Sequence, residues 1–220
     1  MSAPTDVHLV TAKRILQYVT GSLHQGIFLQ PGSLSLSALS DSDWAGDPFD
    51  RRSIIGYIVY LGCNPITWCA KKQETVSRSS TEAEYRALAI TAVELSWLRQ
   101  VLKDLGIFLP FSPKLWCDNV SALTIASNPL FHARTKHVEV DYHFVREKVL
   151  RKDLRVKYIT TGDQLDDVFT KSLPTSRFIF LRSKILVSLE PMILKGDVKD
   201  RNQRHLVKIE EENSEPPTAS

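Results

Sequence analysis

Residues 80–106 carry Leu88, Ala92, Leu95, Leu98, Leu102 and Leu105 at three- and four-residue spacing, and a carboxylate, Glu84, lies on the same stripe. At about 100° per residue Glu84 falls within roughly 40° of Leu88, Leu95, Leu98 and Leu102, whereas Glu82 points about 160° away from it. A helix with such a stripe must lie on an apolar surface. A carboxylate carried into that contact is costly unless a cation, a salt-bridge partner or a metal ion meets it. The rest of the chain therefore has to supply a sheet for this helix and a partner for Glu84.

The sheet is legible upstream. From Leu34 the pattern has period two, with Leu34, Leu36 and Ala38 alternating against serines up to the acidic segment at Asp41. Two apolar runs rich in β-branched and aromatic residues follow at 54–61 and 66–70, separated by the turn residues Gly62-Cys63-Asn64-Pro65. Strands joined this closely predict an antiparallel meander. The long helix starts from a Ser79/Ser80 cap and stops at Gly106. Beyond it the pattern predicts a short strand at 114–118 and a short helix ending before Asn128-Pro129. A helix over 136–151, a strand over 154–160 and a helix over 163–173 complete the order. This predicts an α/β fold with a mixed five-stranded sheet, three antiparallel strands then two more, flanked by helices.

A separate helix over 6–19, with Ala12, Ile15, Leu16 and Val19 on one side, reads as an appendage, so that residues 1–33 precede a main domain at 34–186. Residues 187–220 turn polar and charged and end in EEENSEPPTAS, too poor in apolar side chains to offset ordering entropy, which predicts a disordered tail. With 28 Lys plus Arg against 25 Asp plus Glu, the net charge of +3 permits an anionic partner without requiring one. The three cysteines Cys63, Cys69 and Cys117 form no C-x-x-C pair and read as reduced thiols. No secretory h-region opens the sequence, and the longest apolar stretch, 54–63, is too short to span a bilayer. The expectation is a soluble intracellular protein with no membrane partner.

Counting Glu84, acidic residues at four places sit where a strand ends or a helix meets the sheet. In SDSDWAGD both Asp41 and Asp43 share strand parity, and Asp41 is nearer the strand body. Asp118 ends the segment KLWCD and precedes Asn119, a good helix cap. In DQLDDVF neither Asp166 nor Asp167 joins the stripe of Leu165, Val168 and Phe169, so periodicity leaves that pair open. Converging carboxylates repel one another unless divalent cations stand between them, and oxygen-only ligation suits Mg²⁺ or Mn²⁺ rather than zinc.

The segments SDSDWAGDPFDRRSIIGYIVYLGCNPITW, KKQETVSRSSTEAEYRALA, CDNVSAL, NPLFHARTKHVEVDYHFVRE and DQLDDVFTKSLP occur in that order. Together they resemble the ribonuclease H domain of copia-type retrotransposon Pol polyproteins, closely over about residues 34–183. The helix AKRILQYVTGSLHQGIFL resembles the connection that follows the reverse transcriptase in those polyproteins. The resemblance implies a ribonuclease H-like fold and an endonuclease that cuts the RNA strand of an RNA/DNA hybrid with two divalent ions, Mg²⁺ or Mn²⁺. It also implies a reverse transcriptase domain in the same polyprotein. The family's metal-binding and catalytic acids fall on Asp41, Glu84, Asp118 and Asp167. At the last pair the family pattern usually has Ala where this chain has Asp166, so the resemblance selects Asp167. Many ribonucleases H place a His in the loop before that Asp, but TTGDQLDD has none. This implies proton transfer through metal and solvent, and a modest rate.

Lys71, Lys72 and Arg78, between the third strand and the helix of Glu84, are candidate phosphate contacts, with Asn119 as a further nucleic-acid contact. His132, His137 and His143 lack cysteine partners for a zinc site, Trp44, Trp68, Trp97 and Trp116 read as core or sheet-face residues, and Ser79 and Ser80 read as caps. No Tyr-x-Asp-Asp polymerase signature is present. The competing readings are a catalytically idle nucleic-acid-binding or scaffold remnant, against which the intact acids speak, and an integrase-like strand transferase. The order of the four acids speaks against the second.

Overall fold

The period-two runs form a meander at the centre of the chain. In the computed structural model, β1 (Leu36–Asp43), β2 (Ile54–Leu61) and β3 (Asn64–Lys72) pair antiparallel. The structure describes residues 3–23, 25–127, 136–185 and 187–188, with residues 136–139, 187 and 188 described by their backbone alone. β4 (Lys114–Cys117) then joins the free edge of β1 in parallel, and β5 (Arg155–Tyr158) pairs in parallel with β4. The spatial order is β3-β2-β1-β4-β5, the mixed five-stranded sheet expected from the sequence. β1 is therefore central, and its burial runs through Ser40, Asp41 and Ser42.

Helices cover both faces. α2 (Ser80–Asp104) crosses one face, followed by α3 (Val120–Ser127) and α4 (Lys136–Leu150). Tyr85, Leu88, Ala92 and Leu95 of α2 meet Leu36 and Ala38 of β1, Tyr57 and Val59 of β2, and Leu115 of β4 in the main core. The opposite face has a smaller core of Leu39, Ile58 and Tyr60, with Leu165 and Phe169 against it. Fully burying a side chain such as Leu88 contributes about 1.5–3 kcal/mol, so the α2 face dominates the packing.

The chain divides into a body at Ile27–Val187 and a second unit that contains residues up to Gly26. Within that second unit α1 (Asp6–Gly21) forms as the pattern predicts, and none of its residues is buried. The charged tail at 189–220, His132 and the His137 side chain lie outside the described residues.

Three boundaries depart from the sequence reading. β1 begins at Leu36 rather than Leu34, and the turn after β2 is confined to Gly62-Cys63, so Asn64 and Pro65 already belong to β3. Leu105 lies beyond the end of α2 and is exposed rather than part of the buried stripe. The helix expected over 163–173 is broken into a 3-10 turn at Thr161–Asp163 and a short α5 (Asp167–Thr170). Gln164 breaks it: it is fully buried in extended backbone (φ −71, ψ 103), and its side-chain amide donates to the Ser40 carbonyl at 2.9 Å. A further helix, α6 (Thr175–Lys184), follows Pro174, where the sequence reading assigned none.

The second face is shaped by Gly56, which sits opposite Asp41 in the β1–β2 register. A Cβ there would lie 2.6 Å from Thr170 Cγ2, 3.1 Å from the Asp166 carbonyl oxygen and 3.1 Å from Phe169 Cβ. Only the missing side chain lets α5 rest on the sheet at this point. Gly56→Val should overpack this contact at a cost of about 1–3 kcal/mol, read as a melting temperature several degrees lower. A variant that melts with the parent would show that α5 does not depend on this contact.

Candidate active site

Asp41 enters from the middle of β1 and is completely buried. Its Oδ2 accepts a short hydrogen bond from Thr170 Oγ1, and its Oδ1 accepts one from Lys171 Nζ at 3.2 Å. Asp167 is the first residue of α5, also buried, and its Oδ1 lies 2.6 Å from the same Nζ. Its Oδ2 faces Arg177 Nη2 at 3.6 Å. A single ammonium thus bridges carboxylates from a strand and from a helix far along the chain.

Glu84 is held over the sheet by the start of α2. Ser79 Oγ accepts the Glu82 N–H at 3.2 Å, Glu82 Oε2 accepts the Arg78 N–H at 2.9 Å, and Glu82 Oε1 pairs with Arg86 at 2.7 Å. Glu82 is therefore spent on the helix cap and its outer face. Glu84 points inward at 7% exposure; it accepts the Ser42 N–H, and its Oε2 has no hydrogen-bond partner among protein atoms. No salt bridge reaches Glu84 among the described residues, so the ion-pair explanation for its position fails.

Asp118 follows β4 directly, and its Oδ2 accepts from Thr161 Oγ1 at 3.0 Å. Asn119 Oδ1 accepts the Ala122 N–H at 2.9 Å and caps α3. Ligand atoms of Glu84, Cys117 and Asp118 lie within 4.8 Å of one another. The 161–162 loop that holds Asp118 is itself tied to Arg177, which donates to the Gly162 and Thr161 carbonyls at 2.8 and 3.0 Å.

The electrostatics follow from this crowding. Burial, then the Asp41 and Asp118 carboxylates, push the Glu84 carboxyl up to about 9 from its ordinary 4.5. Burial also raises Asp118, with Asp41 adding to it, and raises the half-exposed Asp43 in the same way. The Cys117 thiol is pushed up by burial and by Glu84, so it stays a neutral thiol and a poor ligand. A neutral thiol beside the Glu84 and Asp118 carboxylates, one of whose buried oxygens is orphaned, fits a hard, oxygen-seeking divalent cation rather than zinc.

The structure thus brings Asp41, Glu84, Asp118 and Asp167 to one end of the sheet and leaves Asp43 at its rim. Asp166 is more buried than Asp167, and its carboxyl oxygens have no partner beyond the residue's own backbone N–H. Burial raises its carboxyl well above the ordinary range, with Asp41 adding to the effect. Lys72 pairs with Asp47 and Asp50 at 2.5 and 2.8 Å, while Lys71 and the Arg78 side chain are exposed. By strand alternation Lys71 shares the α2 side of the sheet with Cys69, and Lys72 faces the other side. Sequence reasoning missed Thr161, Thr170, Lys171 and Arg177. Only Lys171 carried a signal, its i,i+4 spacing from Asp167.

No family model matches the chain. The chain is 50% identical over 192 residues to the Retrovirus-related Pol polyprotein from transposon RE1 of Arabidopsis thaliana, covering 87% of this chain and 13% of that protein. It is 52% identical over 181 residues to the corresponding protein from transposon RE2, covering 82% of this chain and 12% of that protein. The chain thus spans about an eighth of the length of these relatives. A solved ribonuclease H1 isolated from compost is similar at 15% identity and a TM-score of 0.47, over 62% of this chain and 93% of that one. At that score it adds nothing to what the sequence relatives establish.

Three substitutions test the site's electrostatics. Because the folded pKa of Glu84 lies above 4.5, the folded protein binds more protons than the unfolded chain up to about 9, and metal-free stability falls as pH rises through that window. Glu84→Gln should flatten this slope, melting above the parent at pH 8 and losing that advantage near pH 4.5. Glu82→Gln should leave the slope as it is, and an unchanged slope in Glu84→Gln would refute the assignment. Asp166→Ala removes a buried carboxyl with no partner beyond its own backbone N–H, a penalty of about 1–3 kcal/mol. It should raise the melting temperature, and a fall of several degrees would show that Asp166 has a structural partner.

Proposed function

Because this chain belongs to the retrovirus-related Pol polyproteins of copia-type transposons, we propose that its 34–186 segment is a ribonuclease H, an endonuclease that hydrolyses the RNA strand of an RNA/DNA hybrid. The observation that carries the reading is the convergence of Asp41, Glu84, Asp118 and Asp167, from four separate elements, on one buried end of the sheet. These four would hold two Mg²⁺ or Mn²⁺ ions. Such ions supply a water acidified enough to attack at neutral pH and positive charge for the leaving oxygen.

The chain's own groups do the positioning. Ser79 and Glu82 fix the start of α2 and so aim Glu84, Thr161 orients Asp118, and Gly56 lets α5 present Asp167 to Asp41. With Thr161 and Gly162 in the loop before Asp167 and no His there, this loop offers no imidazole to carry a proton at the attacking water. Lys71, Lys72, Arg78 and Asn119 are the proposed contacts to the hybrid. Lys72 would exchange Asp47 and Asp50 for phosphate, a small loss because solvent-exposed ion pairs contribute little. A reverse transcriptase domain of the same polyprotein is the proposed partner that delivers the hybrid.

Incubation with a labelled RNA/DNA hybrid is the test, with single-stranded RNA and duplex DNA as controls. Cleavage should require Mg²⁺ or Mn²⁺, stop with chelator and not return with Zn²⁺ alone. Asp167→Asn should reduce it by at least about 100-fold, more than the loss of a merely supporting group. Full cleavage in excess EDTA would refute the metal-dependent reading.

A further inference from the structure

The ammonium of Lys171 lies 2.6 Å from Asp167 Oδ1 and 3.2 Å from Asp41 Oδ1, inside the gap between two of the four acids. We propose that Lys171 is a built-in counter-cation that holds the acid cluster together in the metal-free protein and has to leave it when a divalent ion binds. The inference rests on the metal-centre reading above and adds to it a residue that competes with the ion.

Three observations support it. The two carboxylate side chains are 1% and 6% exposed whereas that of Lys171 is 37% exposed, so the ammonium reaches in from the solvent side and has an open way out. Its neighbour Arg177 cannot play this part: among the described residues it meets one of the four acids, Asp167, at 3.6 Å, and it is fastened to the Thr161 and Gly162 carbonyls and lies over the Phe180 ring. Lysine also has the suitable chemistry, a compact point charge on a flexible stem with three donors.

An ion held by Asp41 and Asp167 needs the oxygens that Lys171 now engages, and two cations a few ångströms apart in a poorly screened site repel strongly. The protein is competent for metal only in the fraction of molecules whose ammonium has swung away, so the apparent dissociation constant exceeds the intrinsic one by the inverse of that fraction. Lys171 is therefore a positioning residue. It keeps Asp167 and Asp41 close enough together for an ion to find both, and it sets the concentration at which the ion succeeds.

The full chain is the material for the test, as parent, Lys171→Met and Lys171→Arg, with Mg²⁺ alone as the titrant in calorimetry and melting curves taken with and without Mg²⁺. Lys171→Met should melt several degrees below the parent without metal, recover most of that loss at saturating Mg²⁺, and bind Mg²⁺ about tenfold more tightly or better. Lys171→Arg, which keeps the charge, should retain the metal-free stability and show no gain in affinity. If Lys171→Met fails to fold without metal, Mg²⁺ should restore folding, and failure to do so counts against the inference.

Equal losses of melting temperature with and without Mg²⁺, together with unchanged affinity, would reduce Lys171 to a structural brace and overturn the inference alone. A parent that takes up no Mg²⁺ overturns the inference and the metal centre together. A parent with the expected Mg²⁺ pattern that does not cut hybrid would overturn the nuclease reading and leave the role of Lys171 standing.

Discussion

Carboxylates gathered out of water repel one another, and the end of the sheet around β1 is organised by that repulsion. Asp41, Glu84, Asp118, Asp166 and Asp167 feel each other's charge, with Lys171 inserted among them and Arg177 at the edge. In a medium of low effective dielectric such a cluster can persist only if some members hold their protons, if cations neutralise others, or if the surrounding fold is stiff enough to oppose separation. All three operate here. Glu84 and Asp166 are shifted toward the neutral form, Lys171 bridges Asp41 and Asp167, and the sheet beneath fixes the spacing.

That stiffness has local sources. β1 pairs with β4 from Ser37 to Leu39 and with β2 along its whole length, so Asp41 cannot move away from its neighbours without breaking the β2 ladder. The opposed position on β2 is a glycine, which removes the layer of side chain that would otherwise separate α5 from the strand. Gln164 fastens the chain just before α5 to the β1 backbone. On the other face, the capped start of α2 leaves Glu82 outside and Glu84 inside. Each acid is therefore delivered by a different structural device, and the cluster is as rigid as the weakest of them.

The sequence exposed the parts that depend on periodicity and concealed those that depend on tertiary contact. The meander, the long helix and the inward direction of Glu84 follow from spacing alone, because a stripe of leucines must be buried and whatever shares it is buried too. Asp41 and Asp43 share parity; nearness to the strand body and the resemblance both favour Asp41, and the fold buries Asp41 while Asp43 stays partly exposed. The pair Asp166 and Asp167 shows the limit most clearly: periodicity was silent, resemblance chose Asp167, and the fold then buried both, leaving the Asp166 carboxyl with no partner beyond its own backbone N–H. The broken helix after residue 163 was illegible because a glutamine side chain reaching a strand carbonyl more than a hundred residues away leaves no local pattern. Thr161 and Arg177 were hidden for the same reason.

The contact between Thr170 and Asp41 joins residues 129 apart in the chain. Closing so long a loop is an entropic cost that no local element offsets, and parallel pairing of β4 to β1 is itself non-local. The meander and α2 can assemble from neighbouring sequence, but the acids are complete only when the segment around α5 arrives. During synthesis the chain therefore passes through a stage in which the scaffold is formed while Asp41 and Glu84 still lack Asp167 and Lys171. Completion of the acid cluster on this architecture is a late event in folding, reached at the final docking step rather than at the collapse of the core.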